Sequence, residues 1–258
     1  MKIRLLGTGT SQGVPILGCD CKVCLSSDSN DKRLRTSALI SENNHHLVID
    51  CGPDFRQQML SAQVHTLDSI LLTHEHNDHI IGLDDIRPYN FRSGKPMDIY
   101  GKEEVLNELS LRFPYVFNTL NKYPGAPEVK KNIITKNVPF QWGEKYILPI
   151  EVMHGSLPVL AFRFGSLAYV TDVNYISPAS MCQLEDLDYL ILGVLQPHSH
   201  YSHFNVEEGL QVIETLKPKQ AILIHCNHKI GLSTEFNKLL PENVRVGYDG
   251  QIIEANWC

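Results

Sequence analysis

Short apolar runs bounded by Gly, Asn or Asp recur along the whole chain: KIRLLG, TSALIS, HLVIDCG, SILLTH, MDIYG, YILPIEVMHG, VLAFRFG, LAYVTD, YLILGV, AILIH and VRVGYDG. Runs of this length between turn-forming residues read as strands. Helical periodicity appears between some of them, most clearly at Val206, Leu210 and Ile213, where Asn205 followed by Glu208 forms a capping box. Further helices are expected over 54–63, 79–92, 103–113 and 234–240. Strands in both halves with helices between them fit two sheets packed face to face, helices outside, better than one doubly wound sheet.

No short-period repeat, low-complexity tract or linker-like segment interrupts this pattern, so one domain over 1–258 is expected. Residues 115–142, with Pro124, Pro127 and Pro139 and weak periodicity, are expected to run over the domain surface.

Composition narrows the picture modestly. With 43% hydrophobic and 20% charged residues in 258, the chain is of ordinary globular type. A net charge of -6 without a long Lys/Arg run lacks the footprint of sequence-independent nucleic-acid binding and leans toward a small anionic substrate steered by metals. The opening MKIRLLGTGTSQG has neither a signal-peptide apolar region nor a membrane span, so the expected location is the cytoplasm, with no membrane partner. Seven cysteines in such a chain are ligand candidates before they are disulfide candidates.

The strongest chemical signal lies in ILLTHEHNDH, residues 70–79, where an apolar run ends in His74, His76, Asp78 and His79. Residues at i and i+2 of an extended chain share a side, so His74 and His76 can converge on one metal through neutral imidazoles. Asp78 and His79 follow on a turn that opens a helix and can serve a second metal about 3.5–4 Å away. Later apolar runs end in His154, Asp172 and His225. A single histidine at a strand end is ordinarily structural or exposed, but three such residues after an HxHxDH motif point to a shared site.

A second cluster, Cys19, Cys21 and Cys24, sits in a Gly-containing loop at 18–25. Three thiolates fall one short of a tetrahedral zinc site, and His228, three residues after His225, is the candidate fourth ligand. The alternative is a set of reduced surface thiols without metal. Gly7, Gly9 and Gly13 match neither the dinucleotide fingerprint nor a phosphate loop with its Lys, and read as tight backbone turns. Arg33, Arg35 and Arg87 are either contacts for a second substrate phosphate or ordinary solvated arginines.

The ordered set of Asp50, HxHxDH, His154, Asp172 and His225 resembles the metallo-β-lactamase superfamily across almost the whole chain. The resemblance implies an α/β fold, the αββα four-layer sandwich of two mixed β-sheets. It implies that His74, His76 and His154 hold one divalent metal (Zn or Mn), that Asp78, His79 and His225 hold another, that Asp172 bridges them and that Asp50 orients the ligand loops. With GTGTSQGVP, the CxCxxC loop and HxxH added, the chain is similar to the cyclic phosphodiesterases of the carbon-phosphorus lyase pathway, which act on phosphoribosyl 1,2-cyclic phosphate. That narrower likeness implies one structural zinc on Cys19, Cys21, Cys24 and His228, and a small phosphodiester substrate attacked by a metal-activated hydroxide. It also implies that His203 stabilises phosphoryl oxygens or protonates the leaving oxygen, with His198 and His200 competing in the same loop. A homodimer is expected because many relatives self-associate. Other readings are a tRNA-maturing ribonuclease, for which no projecting basic arm is evident, and a non-hydrolytic accessory protein of pyrroloquinoline quinone biosynthesis. A β-lactamase suits the motifs less well, and thioester hydrolysis is chemically open.

Overall fold

The computed structural model describes residues 1–118 and 123–257. The first half forms strands β1 (Lys2–Gly7), β2 (Ser37–Glu42), β3 (His45–Ile49), β4 (Ser69–Leu71), β5 (Met97–Gly101) and β6 (Val129–Ile133). Among them lie helices α1 (Phe55–Ser61), α2 (Asn77–Ile80), α3 (Arg87–Ser93), α4 (Glu103–Arg112) and α5 (Pro114–Phe117). The second half forms β7 (Phe140–Trp142), β8 (Lys145–His154), β9 (Leu157–Phe164), β10 (Leu167–Val170), β11 (Tyr189–Gly193), β12 (Gln220–Ile224), β13 (Val244–Val246) and β14 (Ile252–Glu254). Its helices are α6 (Pro178–Cys182), α7 (Val206–Leu216) and α8 (Ser233–Phe236).

These strands make two seven-stranded sheets, ordered β14-β1-β2-β3-β4-β5-β6 and β13-β12-β11-β10-β9-β8-β7. Each is mixed: β3 to β6 run parallel in one, and β10 to β13 in the other. Strand periodicity explains the layering, because alternate residues face opposite sides. On β12, Ile222 and Ile224 join Ile3, Leu5, Leu47 and Phe162 in the core between the sheets, while Ala221 and Leu223 face the layer containing Ile213 and Phe236. A third cluster packs Phe55, Val105 and Leu109 onto the outer face of the first sheet. The result is the four-layer αββα sandwich. No helix among the described residues is long and apolar enough to cross a membrane.

Several sequence expectations are corrected. The helix expected over 79–92 is broken into α2, a 3-10 segment over Ile81–Ile86, and α3. Close packing explains the break: Gly82 lies where a Cβ would meet the Gly52 carbonyl oxygen at 2.2 Å, and Pro88 occupies the first turn of α3. The helix expected over 234–240 is α8 followed by a 3-10 turn. Residues 115–142 are not merely a surface excursion, since they supply an edge strand to each sheet, β6 beside β5 and β7 beside β8. Within that stretch, 119–122 lie outside the described residues, as does Cys258. The capping box on α7 forms as read, Asn205 accepting from Glu208 N and Glu208 from Asn205 N, each at 2.9 Å.

Candidate metal centre

Parallel strands deliver their C-terminal ends to one edge, where ligands bind in open α/β sheets. Asp50 follows β3, and His74 to His79 follow β4 and open α2. In the facing sheet Asp172 follows β10 and His225 follows β12. Strand β8 is antiparallel to β9, itself antiparallel to β10, so His154 at the end of β8 emerges on the same edge. Asp50, Asp172 and His225 adopt left-handed backbone, with φ of 62°, 46° and 58°. For non-glycine residues this conformation costs about 1–3 kcal/mol each, and such strain gathers at functional sites.

The side chains converge. Ligand atoms of His74, His76 and His154 lie within 4.8 Å of one another, as do those of Asp78, Asp172 and His225, of His74, His79 and Asp172, and of His154, Asp172 and His203. Asp172 thus belongs to three of these groups and sits between the others. His79 Nε2 is 3.3 Å from Asp78 Oδ2 and 3.4 Å from Asp172 Oδ1, and His225 Nδ1 is 3.1 Å from Asp172 Oδ1.

The rings of His74, His79 and His154 are each held through Nδ1. His79 Nδ1 donates to Asp50 Oδ2 at 2.6 Å, and Asp50 also accepts from Thr73 N and Thr73 Oγ1. His74 Nδ1 faces Thr73 Oγ1 at 2.9 Å, His154 Nδ1 donates to the Ser202 carbonyl at 2.8 Å, and Thr36 Oγ1 lies 3.2 Å from His225 Nδ1. The loop of Asp78 is seated by Gly52, where a Cβ would meet the Asp78 carbonyl oxygen at 1.9 Å. Thr36, Thr73 and Ser202 were not singled out in the sequence. Only Thr73, next to His74, carried a positional hint.

Divalent metal fits this donor set. The Nε2 atoms of His74 and His79 are buried and have no hydrogen-bond partner among the described residues, a costly condition unless another group takes their lone pairs. Burial and the neighbouring His79 hold His74 well below its ordinary pKa, keeping it in the neutral form that binds metal. Burial opposes a charge on His79, but Asp172, Asp50 and Asp78 push its pKa well above the ordinary value. Three carboxylates therefore draw a cation to this point, and a proton on His79 is a weak substitute for one. Burial also acts against Asp172, yet His225 and His79 hold it well below the usual carboxylate range.

His203 lies among these residues, its ring centroid 4.5 Å from that of His154 and 4.8 Å from that of His225. His198 is exposed, whereas His200 is half-buried with its ring 5.2 Å from His203. The arginines are otherwise engaged. Arg33 is buried and donates to Thr8 Oγ1, the Gly247 carbonyl and Ser233 Oγ, so it is neither solvated nor free for substrate. Arg35 pairs with Asp54 and Arg87 with Asp84. Gly7 and Gly9 mark close approaches to the 33–35 backbone more than turns, while Gly13 has a φ of 66°.

The second cluster also assembles. His228 Nδ1 lies 3.3 Å from Cys19 Sγ, 3.3 Å from Cys21 Sγ and 3.5 Å from Cys24 Sγ. The Cys24 N–H donates to Cys21 Sγ and pulls that thiol down to about 6, while burial pushes Cys24 up to about 11. Cys51 and Cys226 are buried, and Cys182 is exposed.

Comparison with known proteins agrees with this architecture. The family described as the β-lactamase superfamily domain matches residues 45–226. A solved structure described as a new diphosphatase from the PhnP family superposes with a TM-score of 0.93 at 35% identity, covering 100% of this chain and 98% of the other. Zn(2+)-bound PqqB from Methylobacterium extorquens shares the fold, with a TM-score of 0.81, 19% identity and coverage of 99% and 100%. A Porphyromonas gingivalis protein named octanoyltransferase is 39% identical over 252 residues, 97% of this chain and 51% of that protein, so the chain spans about half its length. That fold implies divalent-metal binding and suggests a hydrolase, and the chain belongs to the metallo-β-lactamase superfamily, within which it resembles the PhnP family.

Proposed function

We propose that the protein hydrolyses a small phosphodiester at a dinuclear metal centre. The observation that carries this reading is the sharing of Asp172 between the His74–His79 group and the Asp78–His225 group, beside the buried Nε2 atoms of His74 and His79, which make no hydrogen bond among the described residues. The similarity to a PhnP-family diphosphatase supports phosphoryl chemistry.

In this reading His74, His76 and His154 would hold one cation and Asp78, His79 and His225 the other, with Asp172 available to both. Two divalent cations there would supply Lewis acidity toward phosphoryl oxygens and lower the pKa of water. The chain's own residues do the remaining work. Asp50, Thr73, Thr36 and the Ser202 carbonyl fix the ligand rings, so little reorganisation accompanies reaction. His203, beside His154 and His225, presents a ring N–H to a phosphoryl oxygen. Cys19, Cys21, Cys24 and His228 would hold a closed structural zinc and so pin residues 18–25 to the turn after β12.

Metal content by mass spectrometry, paired with assays on bis(p-nitrophenyl) phosphate and phosphoribosyl 1,2-cyclic phosphate under added Mn and Zn, tests the proposal. About three metals per chain with diester turnover is the expected result. About one metal and no turnover under either cation would overturn it.

A further inference from the structure

Four aromatic rings form a continuous file leading out of the metal centre. Centroid separations are 4.5 Å from His154 to His203, 5.2 Å from His203 to His200 and 4.8 Å from His200 to Tyr201. The file starts at His154, 9% exposed, and ends at Tyr201, 84% exposed. Tyr201 is backed by Gly155, where an added Cβ would lie 3.8 Å from two of its ring carbons.

The outer end of the file is held in place. Asn174, two residues after Asp172, accepts from Gly155 N at 2.7 Å and donates from Nδ2 to the Tyr201 carbonyl at 3.2 Å. The Ser202 carbonyl next along takes the hydrogen bond from His154 Nδ1 at 2.8 Å. The loops carrying His154, Asp172 and His203 are therefore tied together directly beneath the exposed ring.

The stretch 194–205 that carries three of the four rings contains no Lys or Arg. Its outer end offers a π-surface, and the stretch itself supplies no cation for a second phosphate. Bases stack on exposed aromatic rings with little dependence on their identity. We propose that Tyr201 determines specificity by stacking the planar base of a nucleotide-type substrate whose phosphoryl group lies at His203, with Asn174 as the residue that positions it. This rests on the phosphodiesterase reading and narrows it from small phosphodiesters in general to those bearing a base.

Calorimetric titration of the metal-loaded protein with adenosine 5′-monophosphate and with ribose 5-phosphate tests the inference without requiring turnover. The wild type is expected to bind the nucleotide at least about fivefold more tightly than the sugar phosphate. That gap should close in Tyr201→Ala and persist in Tyr201→Trp. Asn174→Ala should narrow it, and Asn174→Asp, which keeps the acceptor for Gly155 N, should restore part of it. Equal affinities in the wild type, a gap that survives Tyr201→Ala, or binding of neither compound at millimolar concentration would overturn it. Failure of the phosphodiesterase reading would show separately, as metal-loaded wild type that binds nucleotide but cleaves no diester.

Discussion

Asp50 Oδ2 accepts from His79 Nδ1 at 2.6 Å, and both side chains are shut off from solvent. This one bond fixes which ring nitrogen of His79 carries a proton and aims the other at Asp78 and Asp172. Asp50→Asn keeps the shape but loses the charge. Its affinity for divalent metal should fall by about 10–100-fold, read by titration against a competing chelator. Unchanged affinity would refute the role assigned to Asp50.

Asp172→Ala removes the carboxylate common to the two ligand groups. Diester turnover should drop by more than about a hundredfold, and metal content should fall to about one per chain, the zinc of the thiolate cluster. An active, fully metallated variant would contradict the assignment.

Cys21→Ser should act on stability first. The thiolate loop packs only a small cluster of Val14, Val23 and Cys24 with partly buried neighbours, so metal would be its main anchor. A fall in Tm of at least about 5 °C, with loss of one metal, is expected by calorimetry.

Asp249 supplies a pH dependence away from the metal ligands. It accepts from Thr8 N, Thr8 Oγ1 and Leu34 N, yet burial outweighs these bonds and Arg33 and raises its pKa from 3.8 to about 6. Between about pH 4 and 6 the unfolded chain gives up this proton before the folded one does, so the folded state binds more protons and its stability falls as pH rises. The contribution is on the order of 3 kcal/mol. Asp249→Asn should flatten the denaturation midpoint over that window. A profile identical to wild type would show that the carboxyl is not perturbed.

The sequence carried most of the strand ladder because burial on both sheet faces leaves unbroken apolar runs such as AILIH and YLILG. It failed where strands are short or exposed: β6 is VKKNI at a sheet edge, and β7 and β14 have three residues each. The HxHxDH stretch was legible because its ligands are neighbours in sequence. Thr36 and Asn174 were not, since their partners His225 and Tyr201 are brought near only by the packed sheets. Arg33 was misread for the same reason: nothing local reveals that Ser233 and Gly247 receive its guanidinium.

Three ligand groups join the two halves of the chain: His74 and His76 with His154, Asp78 with Asp172 and His225, and Cys19, Cys21 and Cys24 with His228. During synthesis the thiolate cluster must wait for residue 228 and the carboxylate group for residue 225. Neither group is therefore complete while the first half leaves the ribosome. Metal held by the complete groups would act as a late latch, closing only after the two sheets have found each other.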